Sequence, residues 1–522
     1  LIVATRSARR PKVLLVASLL VVAVLALPLA FLLTEAAGAG VSNVWHLIWR
    51  SLTASLLWNT VRLTLVVTVL CAVIGTLAAY GVERTDLPGR SIWAVLVVVP
   101  FAIPDFVVSF GWSSLSTWVQ GFRGAVLVMT LAVYPLVYLP VAASLRGADP
   151  GQEEIARSLG ASRLKTFFRI TLGQARRAIL GGCLLVALVI LAEYGAFEIL
   201  GFQTFTTEIF TEFNILDTSV ACALSLVLVL LSLAVLAGES ASGGGGRVSR
   251  TGPGAQRVLT RRRLGRARLP VLLGYALLVV AALGVPIGSS VYWIFEGGAH
   301  SLTGASLGSA ALHTAGYSLA AALVATTMAL PVALLVARHP GRLHLFLERT
   351  TFLVLAMPGL VVALALTYFT THYANSFGYQ TTPLLVLAYS IMFFPLALVC
   401  VRASVAQSPV SLEEVAGSLG VRRFPALLRV TLPLAAPGVA AAFCLVFLSA
   451  VTELTATLIL IPTNAETLAT QFWAYQQNLS YGQAAPFALV IIAVAAVPSY
   501  VLGRFFDRLP RRGLAPAPGV LT

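Results

Sequence analysis

Long apolar runs recur along this chain, and no other feature restricts its fold so severely. Crossing roughly 30 Å of hydrocarbon takes about 20 helical residues. Runs of that order lie at 13–33, 63–80, 92–112, 125–145, 178–200 and 220–236, and again at 270–295, 317–337, 351–369, 384–401, 439–461 and 485–502. In lipid every backbone donor and acceptor must be satisfied inside the segment, so such runs read as helices. The composition agrees: 58% of the 522 residues are hydrophobic and 11% charged, against about 25% charged in soluble domains. A soluble fold could not cover that much apolar surface with so few charges. The expected fold class is therefore an all-α membrane protein with about 12 transmembrane helices. The first run follows Arg9, Arg10 and Lys12 but is too long for the core of a signal peptide, so it is read as a retained helix.

Charge placement gives the direction of the spans. Lys and Arg number 35 against 20 Asp and Glu, a formal balance of +15. Placing the N-terminus in the cytoplasm and alternating leaves only Arg50, Arg62 and Arg123 outside, with both termini cytoplasmic. The outer loops carry acids instead: Glu208, Glu212, Asp217 and Glu466. Because the basic residues sit between apolar runs, their expected counterpart is the bilayer's anionic headgroups and not nucleic acid. The five cysteines fall within apolar runs and the six histidines show no clustered ligand spacing, so no metal site is expected.

The chain also repeats itself. Residues 153–172, EEIARSLGASRLKTFFRITL, align at an offset of 260 with residues 413–432, EEVAGSLGVRRFPALLRVTL, and half the positions are identical. Glu193 matches Glu453 in the same register. Pro104 pairs with Pro358, and Tyr134-x5-Pro140 with Tyr389-x5-Pro395. An even number of spans per half returns the chain to its starting side, so the halves are parallel repeats. The expected domains are 1–237 and 269–522, joined by a Gly/Arg-rich cytoplasmic linker at 238–268 that reads as a flexible tether.

The duplicated segment falls between the fourth and fifth runs of each half. It reads as a short helix, a glycine stop and a second helix. Ser411 and Glu414 have the spacing of a capping box, and Asp149-Pro150 reads as a helix start. Gly160 and Gly420 stand where a left-handed stop favours glycine. Ile155, Ala156 and Leu159, matched by Val415, Ala416 and Leu419, form an apolar stripe on a helix too short to be stable without a partner.

Glu154-x-Ala156-x3-Gly160-x9-Ile170-x-Leu172 and Glu414-x-Ala416-x3-Gly420-x9-Val430-x-Leu432-Pro433 resemble the EAA loop of ABC importer permeases, roughly E-A-A-x3-G-x9-I-x-L-P. Ile155 and Val415 depart from the second position, and Gly173 replaces the final proline of the first copy. The resemblance implies a type I importer permease fold with two halves fused, in a bacterial-type inner membrane. Its EAA loops lie at 153–173 and 413–433. It further implies that Glu154, Ala156, Gly160, Glu414, Ala416 and Gly420 couple the permease to two copies of a separate ABC ATPase subunit that binds the ATP. An extracytoplasmic substrate-binding protein would deliver the cargo. The chain itself has no expected catalytic residue or cofactor: Gly160-x4-Lys165-Thr166 lacks the glycine that a P-loop places before its lysine.

For the pathway, Glu193, Glu453 and Asp105 are the acids within apolar runs, and intramembrane ionisable residues are candidates for function. The two glutamates read either as carboxylates lining a cation pathway or as outer-leaflet carboxylates bonded to nearby hydroxyls or serving a gate. Asp105 has Gly359 as its counterpart. Residues 194–213 and 466–486 resemble the outer loops of ferric-iron-type ABC permeases, which implies Fe(III) as cargo. Thiamine and 2-aminoethylphosphonate permeases share much of the pattern. A secondary transporter of major facilitator type is the other class considered. The loop Glu83–Arg90 resembles that family's, but no second copy of it appears and the duplicated 153–172 segment is left unexplained.

Overall fold

The structure is a computed structural model that describes residues 12–38, 49–148, 151–242, 262–297, 304–338, 342–373 and 378–508. Among these residues ten helices are long and apolar enough to cross a membrane. Arg90–Ala102 and Asp105–Ser113 form an eleventh as a pair bent by 93°. The protein is an all-α, multi-pass membrane protein, and among the described residues the only strand-like pairing is one isolated bridge, Thr85 with Arg262.

The difference from twelve straight runs lies in the third run of each half. In the first, Pro104 follows a short 3-10 turn, Val99–Ala102, and the chain restarts as Asp105–Ser113. In the second, Arg342–Leu355 ends ahead of Pro358 and the chain restarts as Gly359–Tyr373. Proline lacks the N–H that would continue the ladder and disfavours helix in the residue before it, so each run breaks there.

Packing divides the chain into two units whose limits are not those of the repeat. One comprises Glu35–Ser301 with Phe472–Ile492. Its centre is Ser51–Arg84, Pro135–Gly147 and Leu172–Ala192, each packed on the other two. Glycines set the spacing: a Cβ on Gly182 would stand 2.7 Å from Val137 Cα, and one on Gly75 2.9 Å from Tyr138 N. Small residues let helix backbones approach this closely where no hydrophobic force separates protein from lipid.

The same unit contains the opening span of the second half. Val285–Glu296 packs on Asp105–Ser113, Trp112 Nε1 donates to the Ala281 carbonyl at 3.3 Å, and the Tyr275 hydroxyl donates to the Ala78 carbonyl. The end of the linker is ordered here as well. Arg262 N donates to Arg84 O at 2.9 Å, Asp86 N to Arg262 O at 3.0 Å, and Leu264 N to the Asp86 carboxylate at 2.7 Å. Residues 243–261 of the linker lie outside the described residues.

The second unit comprises Leu1–Thr34, Leu302–Gln471 and Ala493–Thr522. Its centre repeats the first: Gly304–Arg338, Thr382–Gln407 and Leu432–Val451 pack on one another. It holds the opening span of the first half, whose Phe31 ring lies 6.1 Å from that of Tyr368 and 6.0 Å from that of Tyr373. The divisions 1–237 and 269–522 thus describe the repeat, while packing exchanges the leading span of each.

Candidate functional site: duplicated loops and helix breaks

Each duplicated loop is a two-turn helix, Gly151–Ser158 and Val410–Ser418, closed by glycine. Gly160 and Gly420 both have φ +82°. Gly160 N donates to Arg157 O and Ala161 N to Ala156 O; Gly420 N donates to Gly417 O and Val421 N to Ala416 O. These paired bonds are the Schellman closure, which satisfies orphan carbonyls at the price of a left-handed residue.

After a short helical turn the backbone widens into one π turn at the same place in both copies, Phe167–Thr171 and Leu427–Thr431. The last residue of each π turn holds the loop helix. Thr171 Oγ1 donates to Glu153 Oε1 at 2.9 Å, and Thr431 Oγ1 to Glu413 Oε1 at 2.7 Å. An arginine from the end of a long helix completes the anchor: Arg84 Nη2 stands 3.8 Å from Glu153, and Arg338 Nη2 donates to Glu413 at 2.8 Å.

The anchoring carboxylates are therefore Glu153 and Glu413, one residue ahead of Glu154 and Glu414, the positions the sequence motif singles out. Glu414 is exposed and Glu154 holds the matching backbone position. Two sequence signals carried this information. Both glutamates and both threonines are kept at the offset of 260, and an arginine ends the same long helix in each half. Ala156 and Ala416 are half-buried, while Ile155, Leu159, Val415 and Leu419 are exposed by 55–81%. Each loop is thus clamped by its glutamate and presents an apolar pair that none of the described residues covers.

The expected capping box at Ser411 and Glu414 does not form. Pro409 takes the N-cap position with φ −65°, so the helix begins at Val410 and Ser411 lies inside its first turn, where its hydroxyl cannot cap. Asp149 and Pro150 lie outside the described residues.

At the other end of the fifth span of each repeat, the structure corrects a continuous-helix reading. Leu172–Ala192 stops before Glu193, whose backbone is extended at φ −74° and ψ 133°. Glu193 Oε1 accepts from Ala196 N at 2.7 Å and so caps the short helix Gly195–Ile199. In the second copy Glu453 Oε1 accepts from Ala456 N at 3.0 Å and caps Thr455–Leu460. Hydroxyls take the glutamates' own carbonyls, from Thr206 in one copy and from Thr457 at 2.7 Å in the other. The Tyr389 hydroxyl bonds Thr457 in turn. A run of apolar letters conceals such a break because the groups that compensate it lie outside the run.

Asp105 opens the helix after its own break, where an acid faces the positive end of the helix dipole. Gly195–Ile199 packs on that helix, bringing the elements of Glu193 and Asp105 together in one unit. In the other unit Thr455–Leu460 packs on Gly359–Tyr373. A Cβ on Gly359 would stand 3.4 Å from Glu453 Oε1. Among the described residues no group of three or more His, Cys, Asp or Glu is arranged to hold a metal ion.

The capping geometry has a direct test. Glu453→Ala leaves Ala456 N without its acceptor, and the thermal midpoint in detergent is expected to fall by a few degrees, on the scale of about 1 kcal/mol for a lost cap. Glu453→Gln keeps an oxygen acceptor and is expected to melt with the parent.

Comparison with known proteins agrees with this duplicated architecture. The family described as "Binding-protein-dependent transport system inner membrane component" matches twice, over residues 72–238 and 329–513. The Fe(3+)-transport system permease protein FbpB 2 of Haemophilus influenzae is 35% identical over 92% of this chain and 96% of its own length. The sulfate transport system permease protein CysW of Synechocystis is 32% identical over 41% of this chain and 85% of its own. The molybdate/tungstate transport system permease protein WtpB of Pyrococcus furiosus is 29% identical over 34% of this chain and 73% of its own. Single-repeat relatives that align with less than half of this chain are what a fused pair of permease halves should find. The chain belongs to the family of binding-protein-dependent transport system inner membrane components, the ABC transporter permeases.

Proposed function

We propose that this protein is the membrane permease of an ATP-driven Fe(III) importer. Two copies of an ATPase subunit bind the ATP and dock on the loop helices Gly151–Ser158 and Val410–Ser418, through Ile155, Leu159, Val415 and Leu419. Glu154, Ala156, Gly160, Glu414, Ala416 and Gly420 form the coupling elements, and both termini share the cytoplasmic side with them. The observation that carries this reading is the equal construction of the two loops. Each is anchored by a carboxylate to a threonine and an arginine, and each leaves an apolar pair exposed. A clamped helix transmits a push to the long span behind it, and ATP-driven approach of two docked subunits would tilt the two bundles in alternation.

Iron as cargo is supported by the 35% identity with the iron permease over nearly the whole chain. Asp105, Glu193 and Glu453 are assigned to the translocation pathway. Each stands at a break in a membrane-crossing run, and broken backbone at membrane depth is tolerated where it is buried in protein or lines a water-filled cavity. In a strain lacking the protein, returning the gene is expected to restore growth on limiting iron and uptake of radiolabelled Fe(III). Rescue of growth on limiting thiamine, with no effect on iron, would overturn the cargo assignment.

A further inference from the structure

Among the described residues four non-glycine positions take left-handed backbone: Leu216 at φ 64°, Gln380 at φ 53°, Asn464 at φ 63° and Leu479 at φ 58°. The two leucines occupy one place in the repeat. An interval of 263 separates them, as it separates the helix-opening Thr204 from Thr467. Each closes the helix that its threonine opens, Phe205–Asn214 and Leu468–Gln477. Leu216 N donates to Phe213 O and Asp217 N to Glu212 O; Leu479 N donates to Gln476 O and Ser480 N to Tyr475 O. This is the same Schellman closure that the loop helices make with Gly160 and Gly420. The loop helices are thus closed with glycine and these two with leucine, although the chain also uses glycine beyond the fifth span, where Gly201 at φ 62° closes Gly195–Ile199 with the same pair of bonds.

Leucine is the poorer choice on two counts. Its Cβ strains the left-handed conformation that glycine adopts without penalty. Its side chain gains nothing from the fold, since Leu216 is 80% and Leu479 72% exposed. Strained residues persist where the side chain has a function that outweighs the strain. In each repeat one span of the chain, Leu172–Ala192 or Leu432–Val451, separates the loop helix from the leucine. With the loops cytoplasmic, the leucines face the side from which a binding protein arrives.

We propose that Leu216 and Leu479 are paired apolar anchors for the extracytoplasmic binding protein, and that the two anchors differ in charge. This rests on the orientation proposed above and on the family's dependence on a binding protein. Glu208 and Glu212 lie on the helix that Leu216 closes, and Asp217 follows it in the chain. The Glu212 carboxyl is held above its ordinary range by burial and by Asp217 and Glu208, which Arg50 offsets only in part. The chain flanking Leu479, namely Gln476, Gln477, Asn478 and Ser480, is neutral, and the exposed Glu296 approaches the segment because Gly297 packs against Gly482. The partner therefore offers a more basic rim around the pocket for Leu216 and a more polar, less charged rim around the pocket for Leu479. Apolar anchors supply affinity, while unequal rims decide which lobe of the partner meets which half of the permease.

The test uses the whole permease–ATPase complex in nanodiscs, titrated with the binding protein whose loss abolishes uptake in the parent strain. Leu216→Gly and Leu479→Gly relieve strain, so the double variant is expected to melt at or above the parent temperature with unchanged basal ATP hydrolysis. The binding-protein concentration giving half-maximal stimulation is expected to rise at least tenfold. Glu208→Gln with Glu212→Gln and Asp217→Asn is expected to flatten the salt dependence of stimulation. An unchanged half-maximal concentration in the double glycine variant overturns the anchors, and an unchanged salt slope in the triple variant overturns the charge difference. A parent complex that no binding protein stimulates would instead overturn the importer reading itself, and the anchors with it.

Discussion

Gly420→Val is expected to lower uptake at least tenfold while the amount of protein in the membrane stays at the parental level. Nothing lies within 4 Å of a Cβ built on Gly420, so the effect is one of backbone and not of crowding. At φ +82° a β-branched residue is strongly disfavoured, by about 2 kcal/mol. A two-turn helix has little else to hold its end. The bonds from Gly420 N to Gly417 O and from Val421 N to Ala416 O would be lost together, and the apolar pair Val415 and Leu419 would lose its fixed direction. Gly420→Asn, which tolerates left-handed backbone, is expected to retain most of the uptake. Because Gly160 has the same φ and the same open surroundings, the valine substitution there should reproduce the loss. Uptake of labelled Fe(III), normalised to membrane protein by immunoblot, decides the matter. A valine variant transporting at the parental rate would show that the helix stop is not needed for coupling.

Gly182→Val has the largest expected effect on folding, with membrane-integrated, monodisperse protein falling below a tenth of the parent. The new Cβ would stand 2.7 Å from Val137 Cα and 2.9 Å from the Leu136 carbonyl oxygen, both of them backbone atoms that cannot step aside. Separating Leu172–Ala192 from Pro135–Gly147 would also disturb Ser51–Arg84, since the three pack mutually. Overpacking of this kind costs about 3 kcal/mol or more where the backbone must move. The neighbouring Gly181 provides the control. Nothing lies within 4 Å of its Cβ position, so Gly181→Val should accumulate normally. Fluorescence-detected size exclusion of both variants separates the outcomes, and equal yields would show that the close approach is dispensable.

Much of the site is legible in the sequence alone. The glycine stops, the apolar pairs on the loop helices and the duplication all follow from residue type and spacing, because a left-handed stop and a short amphipathic helix are local requirements. The anchors were harder to see. Choosing Glu153 and Glu413 over their neighbours required the positions of Arg84, Arg338 and the π-turn threonines, which approach from elsewhere in the chain. The breaks at Glu193 and Glu453 were hidden for a related reason. Each sits within a run that hydropathy reads as one helix, and the bonds that make the break affordable come from the glutamate's own side chain and from threonine hydroxyls.

The sequence by itself determined that this chain lives in lipid, that it is two copies of one bundle, and that each copy offers a glycine-stopped helix between its fourth and fifth runs. Those properties depend on transfer of apolar residues from water and on local backbone preference, both of which are read along the chain. Tertiary structure alone decided where the helices break, which carboxylates clamp the loops, and that the opening span of each half packs with the other. Apolar helices in lipid have no hydrophobic reason to choose one neighbour over another, so the choice falls to close-fitting glycines, rings and single hydrogen bonds between residues far apart in sequence.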